Sequence, residues 1–308
     1  MSVEPFLATR HGLQDDAIEM GGMAYRAVDL ELERAAYECR RILREPFAFS
    51  AVVTQSIPPR SERIVGVLNG ILLKPWFSAR LFEGETPYFH RHVETAISSP
   101  FPDDEEIGRA NAGEGLDLFL AHFAVDEAFD DAEAIRIRGL LVSYFVDQFS
   151  GNRLRSILVE TVGRENTAMA MNSGFEVVTS YPSWRAANNS LERDGPHLLR
   201  MDLHRTLEVQ NFHLARLLQY RTPLFHFPPG ARELLRFALQ GLTDVQLVSA
   251  RSISSKSIAS TWTRIYRIVE EVMPNLLPSG LIGKPDRRLA LMAYLRNHPE
   301  ELWPYGRS

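Results

Sequence analysis

Leu116-Asp-Leu-Phe-Leu-Ala-His-Phe-Ala-Val125 is the stretch on which the reading of the fold turns. It is dense in apolar residues and follows a polar, acidic stretch, 96–115, that reads as a loop, so it is expected to be a strand. The chain then alternates: a helical run over 132–149, a strand over 155–162, a short helix over 166–172 and a strand over 175–180. Upstream, 47–57 and 63–73 are strand-like and are joined by Pro58-Pro59-Arg60, which predicts an antiparallel hairpin. Residues 13–45 carry long helical patterning. Helices, then a hairpin, then β-α-β-α-β give an α/β/α sandwich with a mixed sheet. An all-α unit follows it, so the fold class is α+β.

The chain has 308 residues, enough for two cores, and its 45% hydrophobic and 24% charged residues are ordinary for a globular protein. No apolar run is long enough to cross a membrane, and the N-terminus lacks the unbroken apolar segment of a signal peptide. The single cysteine, Cys39, excludes an internal disulfide and four-sulfur zinc sites, and it sits in a helix-like run as a small side chain. A reducing, cytoplasmic setting fits, with no membrane partner. Net charge is -5, unevenly spread: residues 228–308 hold eleven Lys/Arg against seven Asp/Glu, about +4, which leaves about -9 for residues 1–227. Such asymmetry hints at a polyanion near the basic end.

The strongest break is Arg221-Thr-Pro-Leu-Phe-His-Phe-Pro-Pro-Gly230, where three prolines and a glycine cannot continue a helix. It sets the expected division into residues 1–205, a linker over 206–227, and residues 228–308. Beyond it lies an apolar-faced helix, 231–240, stopped by Gly241. Thr243 then caps a second helix, Asp244–Arg251. Ser254 caps a third helix, 255–271. Another apolar-sided helix is expected over 286–298, with Leu289, Met292, Ala293 and Leu295 on one side.

Three helices on turns this short predict a helix-turn-helix. Residues 231–268 resemble the LuxR/FixJ type through Glu233-Leu-Leu-Arg236, Gly241-Leu-Thr-Asp244, Leu247, Ile253-Ser-Ser-Lys-Ser-Ile258 and Ile265-Tyr-Arg267. Leu234, Leu235, Leu242, Leu247, Ile253, Ile258 and Ile265 take its core positions. The resemblance implies a transcription regulator whose partner is double-stranded DNA. Ser254, Ser255, Lys256 and Ser257 would meet phosphate at the helix start, Ser260, Thr263 and Arg264 would read bases, and Arg251 and Arg267 would touch phosphate. A homodimer suits palindromic DNA. Val248, Arg251, Ala259 and Trp262 depart from the family's usual residues, which leaves open a helix-turn-helix turned to protein interaction.

Residues 8–183 or so resemble the GNAT acetyltransferase fold. The resemblance is carried by Ala121-His-Phe-Ala-Val-Asp126 as the fourth strand and by the stretch 157–178, with its Asn-containing helix and Gly174-Phe175 entering the next strand. Two working parts of that family are missing. The glycine-rich turn that binds the diphosphate of acetyl-CoA corresponds to residues 127–136, which have no glycine and four acids. The helix over 166–173 has no tyrosine to protonate a leaving thiolate. The expectation is therefore no enzyme, no catalytic residue and no cofactor, with the domain sensing a small-molecule effector or serving assembly. An acetyltransferase with an appended helical domain is the alternative. Acyl-homoserine-lactone synthases also resemble GNATs, but the tryptophan, tyrosine and aspartate pattern of lactone sensors is absent.

Other constellations are thinner. His90 and His92 would share a face if Tyr88-Phe-His-Arg-His92 were a strand, but no third metal ligand stands near, so no metal site is expected. Glu160 and Glu165 lie near a strand end, as a base or as a cap and a solvated charge.

Overall fold

The structure is a computed structural model, and it describes residues 5–7, 48–57, 61–84, 86–126, 128–181, 196–251, 254–277 and 284–306. The helical patterning of 13–45, Cys39, the Pro58–Arg60 turn, Glu127 and Ile253 fall outside them.

The first unit is built on one mixed sheet. Its strands are β1 (Pro5–Leu7), β2 (Ala48–Ile57), β3 (Ser61–Leu73), β4 (Leu116–Val125), β5 (Leu154–Thr161), β6 (Glu176–Ser180) and β7 (His197–Met201). Among the described residues their order is β1-β2-β3-β4-β5-β7-β6. The hairpin β2–β3 is antiparallel as expected, and β4–β5 is parallel. A parallel pair needs a crossover, which helix α4 (Asp131–Phe149) supplies.

Helices cover both faces, and the pleat of β3 shows why. On one face Gly66 and Gly70 leave room for α4: a Cβ at Gly70 would lie 2.5 Å from the Phe145 ring and one at Gly66 2.7 Å from Ile137. One residue out of phase with the glycines, Ile71 and Leu73 point to the other face and pack with Phe77, Leu81 and Phe89. These belong to α1 (Pro75–Glu83) and α2 (Phe89–Glu94). Helix α5 (Arg164–Asn172) ends on Gly174, whose φ of +107° reverses the chain into Phe175. Helices α6 (Leu203–Glu208) and α7 (Phe212–Leu218) complete the unit.

The second unit is helical and drawn from three pieces of chain. It takes Tyr220–Ser308 together with Asp104–Gly115 and Ser150–Arg153. The residues 96–115, expected as a loop, contain α3 (Asp104–Ala112). Asn111 ties the pieces together: its amide donates to the Pro304 carbonyl at 2.9 Å and its oxygen accepts the Arg153 N–H at 2.8 Å. Trp303 donates to the Ser150 carbonyl at 2.9 Å. The compact units therefore divide differently from the expected 1–205 and 228–308. Helix α7 carries the buried Ala215, Leu217 and Leu218 of the first unit, and Phe225 and Phe227 are core residues of the second, so 206–227 is packed chain on both sides.

Four further helices follow: α8 (Pro229–Leu239), α9 (Asp244–Arg251), α10 (Ser255–Val272) and α11 (Lys284–Asn297). Leu234, Leu235, Leu247, Ile258 and Ile265 are buried, and Leu242 is partly buried. Met292 and Leu295 of α11 are buried, but Leu289 is 66% exposed and lies off the packed side.

Candidate active site

The sheet itself opens the site. The β4–β5 ladder runs from Leu116↔Leu154 to Leu120↔Val159 and stops there. Strand β4 goes on to Val125 paired only with β3, and β5 goes on to Thr161 paired only with β7. The β3–β4 register also shifts between Asn69 and Gly70, where Ala121 is the extra residue, and a bulge of this kind bends its strand. Two parallel strands that part at their C-terminal ends make a crevice, the usual ligand position in such sheets.

Glu160 is the second-last residue of β5 and stands where the strands part. It shares a face with Leu158 and so points toward α2. Its Oε1 accepts the Tyr88 N–H at 2.8 Å and its Oε2 accepts the Phe89 N–H at 2.7 Å. These two donors favour the carboxylate, but burial outweighs them and pushes the group up to about 7. Tyr88 has a φ of +79°, a strained conformation for a tyrosine, and is 4% exposed. The Phe89 ring stacks on Phe119 of β4 at 4.1 Å, which fixes the start of α2 to the sheet. Tyr181, just beyond β6, is buried; its hydroxyl is pushed well above the usual tyrosine range by burial first and by Glu160 second. Below Glu160, Thr161 and Thr167 share a hydrogen bond of 2.9 Å that joins β5 to α5. Glu165 is an exposed first-turn residue of α5.

The turn into α4 tests the fit of a diphosphate-bearing donor such as acetyl-CoA. Asp126 accepts the Ala128 N–H and Asp130 accepts the Glu133 N–H, both at 2.9 Å. Asp131 and Glu133 add two charges in the first turn. Carboxylates of the chain itself therefore occupy amides that an anion-binding turn would leave for phosphate. The residues present do not fit a diphosphate at this turn.

His90 and His92 lie on helix α2, not on a strand, and both are buried. His92 Nε2 is 2.8 Å from the Thr86 carbonyl, and burial lowers its pKa. Among the described residues no group of three or more metal-ligating side chains occurs.

In the second unit, the residues expected to meet DNA lie along α10. Ser255, Lys256, Ser257, Ser260, Thr263, Arg264 and Arg267 are exposed. Several are already engaged within their own helix. Ser254 Oγ accepts the Ser257 N–H at 3.1 Å, Thr263 donates to the Ala259 carbonyl at 3.0 Å, and Arg267 pairs with Glu271 at 3.7 Å. Arg251 ends α9, and its side chain lies outside the described residues. The oversized Trp262 is 6% exposed: Arg288 of α11 lies over its ring at 4.5 Å, and both donate to Asp244.

No protein-family model matches the chain, and no curated protein matches its sequence. Solved structures do match. FeeM, an N-acyl amino acid synthase from uncultured soil microbes, is 12% identical with a TM-score of 0.40, over 68% of this chain and 98% of that one. A Corynebacterium glutamicum structure described as histone acetyltransferase HPA2 and related acetyltransferase is 13% identical with a TM-score of 0.34, over 65% and 95%. AtaTR bound with AcCoA is 10% identical with a TM-score of 0.35, over 68% and 97%.

Each likeness is distant, with a TM-score of 0.40 or lower. Against the expectation of a chain that is not an enzyme and whose partner is double-stranded DNA, the matching structures are named for acyl or acetyl transfer or hold AcCoA. The apolar spacing that carried the regulator reading, with its transcription and DNA-binding roles, is one buried stripe of α10, Ile258, Trp262, Ile265 and Val269, and such a stripe reports packing. No helix of the described residues is long and apolar enough to cross a membrane.

The sequence marked Glu160 without ranking it above Glu165, and it missed Tyr88 and Tyr181. The only available signal was a carboxylate ending an otherwise apolar strand, Leu154-Arg-Ser-Ile-Leu-Val-Glu160.

Proposed function

We propose that the first unit is an acyltransferase that moves an acyl group from a thioester to an amine, with Glu160 as general base. The observation that carries this reading is a carboxylate poised near pH 7 where the parallel strands β4 and β5 part. A general base works best with a pKa near the working pH, and burial has moved this glutamate there. In the reaction the amine nitrogen attacks the thioester carbonyl carbon and gives its proton to Glu160. The carbon–nitrogen bond forms, the carbon–sulfur bond breaks, and the departing thiolate takes up a proton to leave as thiol. Tyr181, held protonated by its surroundings, is a hydrogen-bond donor and not a base. The acids around the start of α4 argue that the donor is recognised by its acyl and thioester arm and not by a diphosphate in that turn.

The test is thiol release from a panel of acyl thioesters with a panel of amines, comparing each acyl-CoA with the matching S-acyl pantetheine. The expected result is amine-dependent thiol release with kcat/KM for the two donor forms within about threefold, since a lost diphosphate contact would show as several kcal/mol. No amine-dependent release from any thioester would end the proposal.

A further inference from the structure

One rung of the sheet brings a serine and a histidine together. Thr161 of β5 pairs with His197 of β7, and His197 pairs with Ser180 of β6. Residues paired in this way share a face of the sheet. Ser180 Oγ and His197 Nδ1 lie 2.9 Å apart, within hydrogen-bond reach. The Thr161 hydroxyl on the same rung is bonded to Thr167. Ser180 is exposed, and among the described residues β6 is an edge strand. Its hydroxyl is therefore held on an imidazole at a place that solutes can reach.

A bulge makes this meeting. Val177 pairs with Leu199 and Thr179 with Leu198, so Val178 is an extra residue on β6. In an unbroken ladder Thr179 would stand opposite His197, and Ser180 would lie beyond it. With the bulge, Thr179 turns to the other face and donates to the Phe82 carbonyl at 3.0 Å, and Ser180 takes the place beside the ring. A primary hydroxyl, less hindered than that of threonine, thus meets the imidazole. Val177 lies on the same face, about 7 Å along the strands. It is 40% exposed and offers an apolar support for a short acyl chain. A second serine–histidine contact, Ser143 to His213 Nε2, is longer, 3.4 Å, and joins α4 to α7.

We infer that Ser180 and His197 form a nucleophile–base pair that takes acyl groups from short-chain carboxylic esters. A serine hydroxyl is a weak nucleophile until an adjacent base takes its proton. With the ring proton on Nε2, His197 Nδ1 is an acceptor and takes it. Ser180 Oγ attacks the ester carbonyl carbon. The new carbon–oxygen bond forms, the bond to the alcohol oxygen breaks, and the proton passes from His197 to the departing alcohol. Water then attacks the acyl-serine with His197 again as base, which releases the carboxylic acid and restores the serine. The pair is separate from Glu160, which is paired with Leu198 and faces the other side of the sheet, so the inference does not rest on the acyltransferase reading.

An alkyl fluorophosphonate tests this on the full chain, with no amine or thioester present. It reports the same attack, since the serine oxygen bonds to phosphorus, fluoride leaves and His197 takes the proton. Intact mass and peptide mapping are expected to show one adduct per chain, on Ser180. Ser180→Ala should abolish the adduct, and His197→Gln should slow its formation by at least about 10²-fold, the contribution of a general base. Ser143→Ala should leave the rate unchanged. Hydrolysis of p-nitrophenyl butyrate should rank the four proteins in the same order. The midpoint of thermal unfolding, measured for each variant, separates loss of the pair from loss of the fold. An unreactive native chain overturns the inference. So does an adduct that survives Ser180→Ala, or a rate indifferent to His197→Gln, which would leave the contact as a surface hydrogen bond only.

Discussion

Glu160 and Tyr88 are 72 residues apart in sequence and are joined by a 2.8 Å hydrogen bond from the Tyr88 N–H to the Glu160 carboxylate. One interaction thus couples the strand end that opens the crevice to the strained entry of α2. It also sets the two demands on Glu160, to hold the Tyr88–Phe89 backbone and to accept a proton.

Glu160→Gln separates these demands, because the amide oxygen still accepts one N–H but takes no proton. Amine-dependent turnover is expected to fall by about 10²- to 10⁴-fold, the usual contribution of a general base. In the native chain kcat should rise with pH with a midpoint near 7. The residual rate of the variant should lack that step. A pH–rate profile that is unchanged in the variant would rule Glu160 out as the base.

Stability should carry the same group with a definite sign. The folded pKa, about 7, is raised above the ordinary 4.5, so the folded state binds the proton more tightly than the unfolded state. The contribution is fully present below about pH 4.5 and is lost as pH rises through about 7. Its full size is about 3 kcal/mol. Urea unfolding of native and Glu160→Gln protein at pH 4.5, 6 and 8 should show the native chain losing stability relative to the variant as pH rises.

Gly70→Ala should be destabilising although alanine suits a strand no worse than glycine. The added methyl would meet the Phe145 ring at 2.5 Å and the Phe149 ring at 3.0 Å, where α4 lies close to β3. Overpacking of this kind costs about 1–3 kcal/mol. A fall in the midpoint of thermal unfolding checks it, and an unchanged midpoint would show that α4 does not pack that tightly.

In the second unit, Asp244→Ala should leave the Trp262 indole N–H and the Arg288 guanidinium without their shared acceptor. Loss of a charged hydrogen-bond partner in a half-buried setting costs about 1–3 kcal/mol. Tryptophan emission should shift to the red as Trp262 becomes wetter, measured against Trp262→Phe to isolate its signal from the other three tryptophans.

Much of the fold was legible in the sequence. Strand β4 and helix α9 lie where patterning placed them, and the hairpin and the β4-α4-β5 order follow from alternation of period and from turn residues. Misreadings have specific causes. The segment 96–115 is rich in polar residues, yet Asp104, Glu105 and Glu106 suit a helix N-terminus and Ile107 is its buried anchor. Alternating His90 and His92 looked like a strand, but α2 is a single short helix fixed by Phe89 on Phe119 and by Glu160, neither of them local. The apolar spacing of α8–α10 was read as a DNA-binding unit, and spacing of that kind reports which side is buried, not what the other side binds.

The sequence by itself determined the strands β2 to β5 with their order, the acidic turn into α4 and the missing tyrosine on α5, because each of these is a matter of neighbours along the chain. Only the tertiary structure decided where β4 and β5 part and what Glu160 holds. It also decided that Asn111, Arg153 and Pro304 belong to one unit. The physical reason is range: periodicity and capping act over a few residues, whereas a desolvated carboxylate or a ladder that ends depends on groups dozens of residues away, and their burial, not their identity, sets the chemistry.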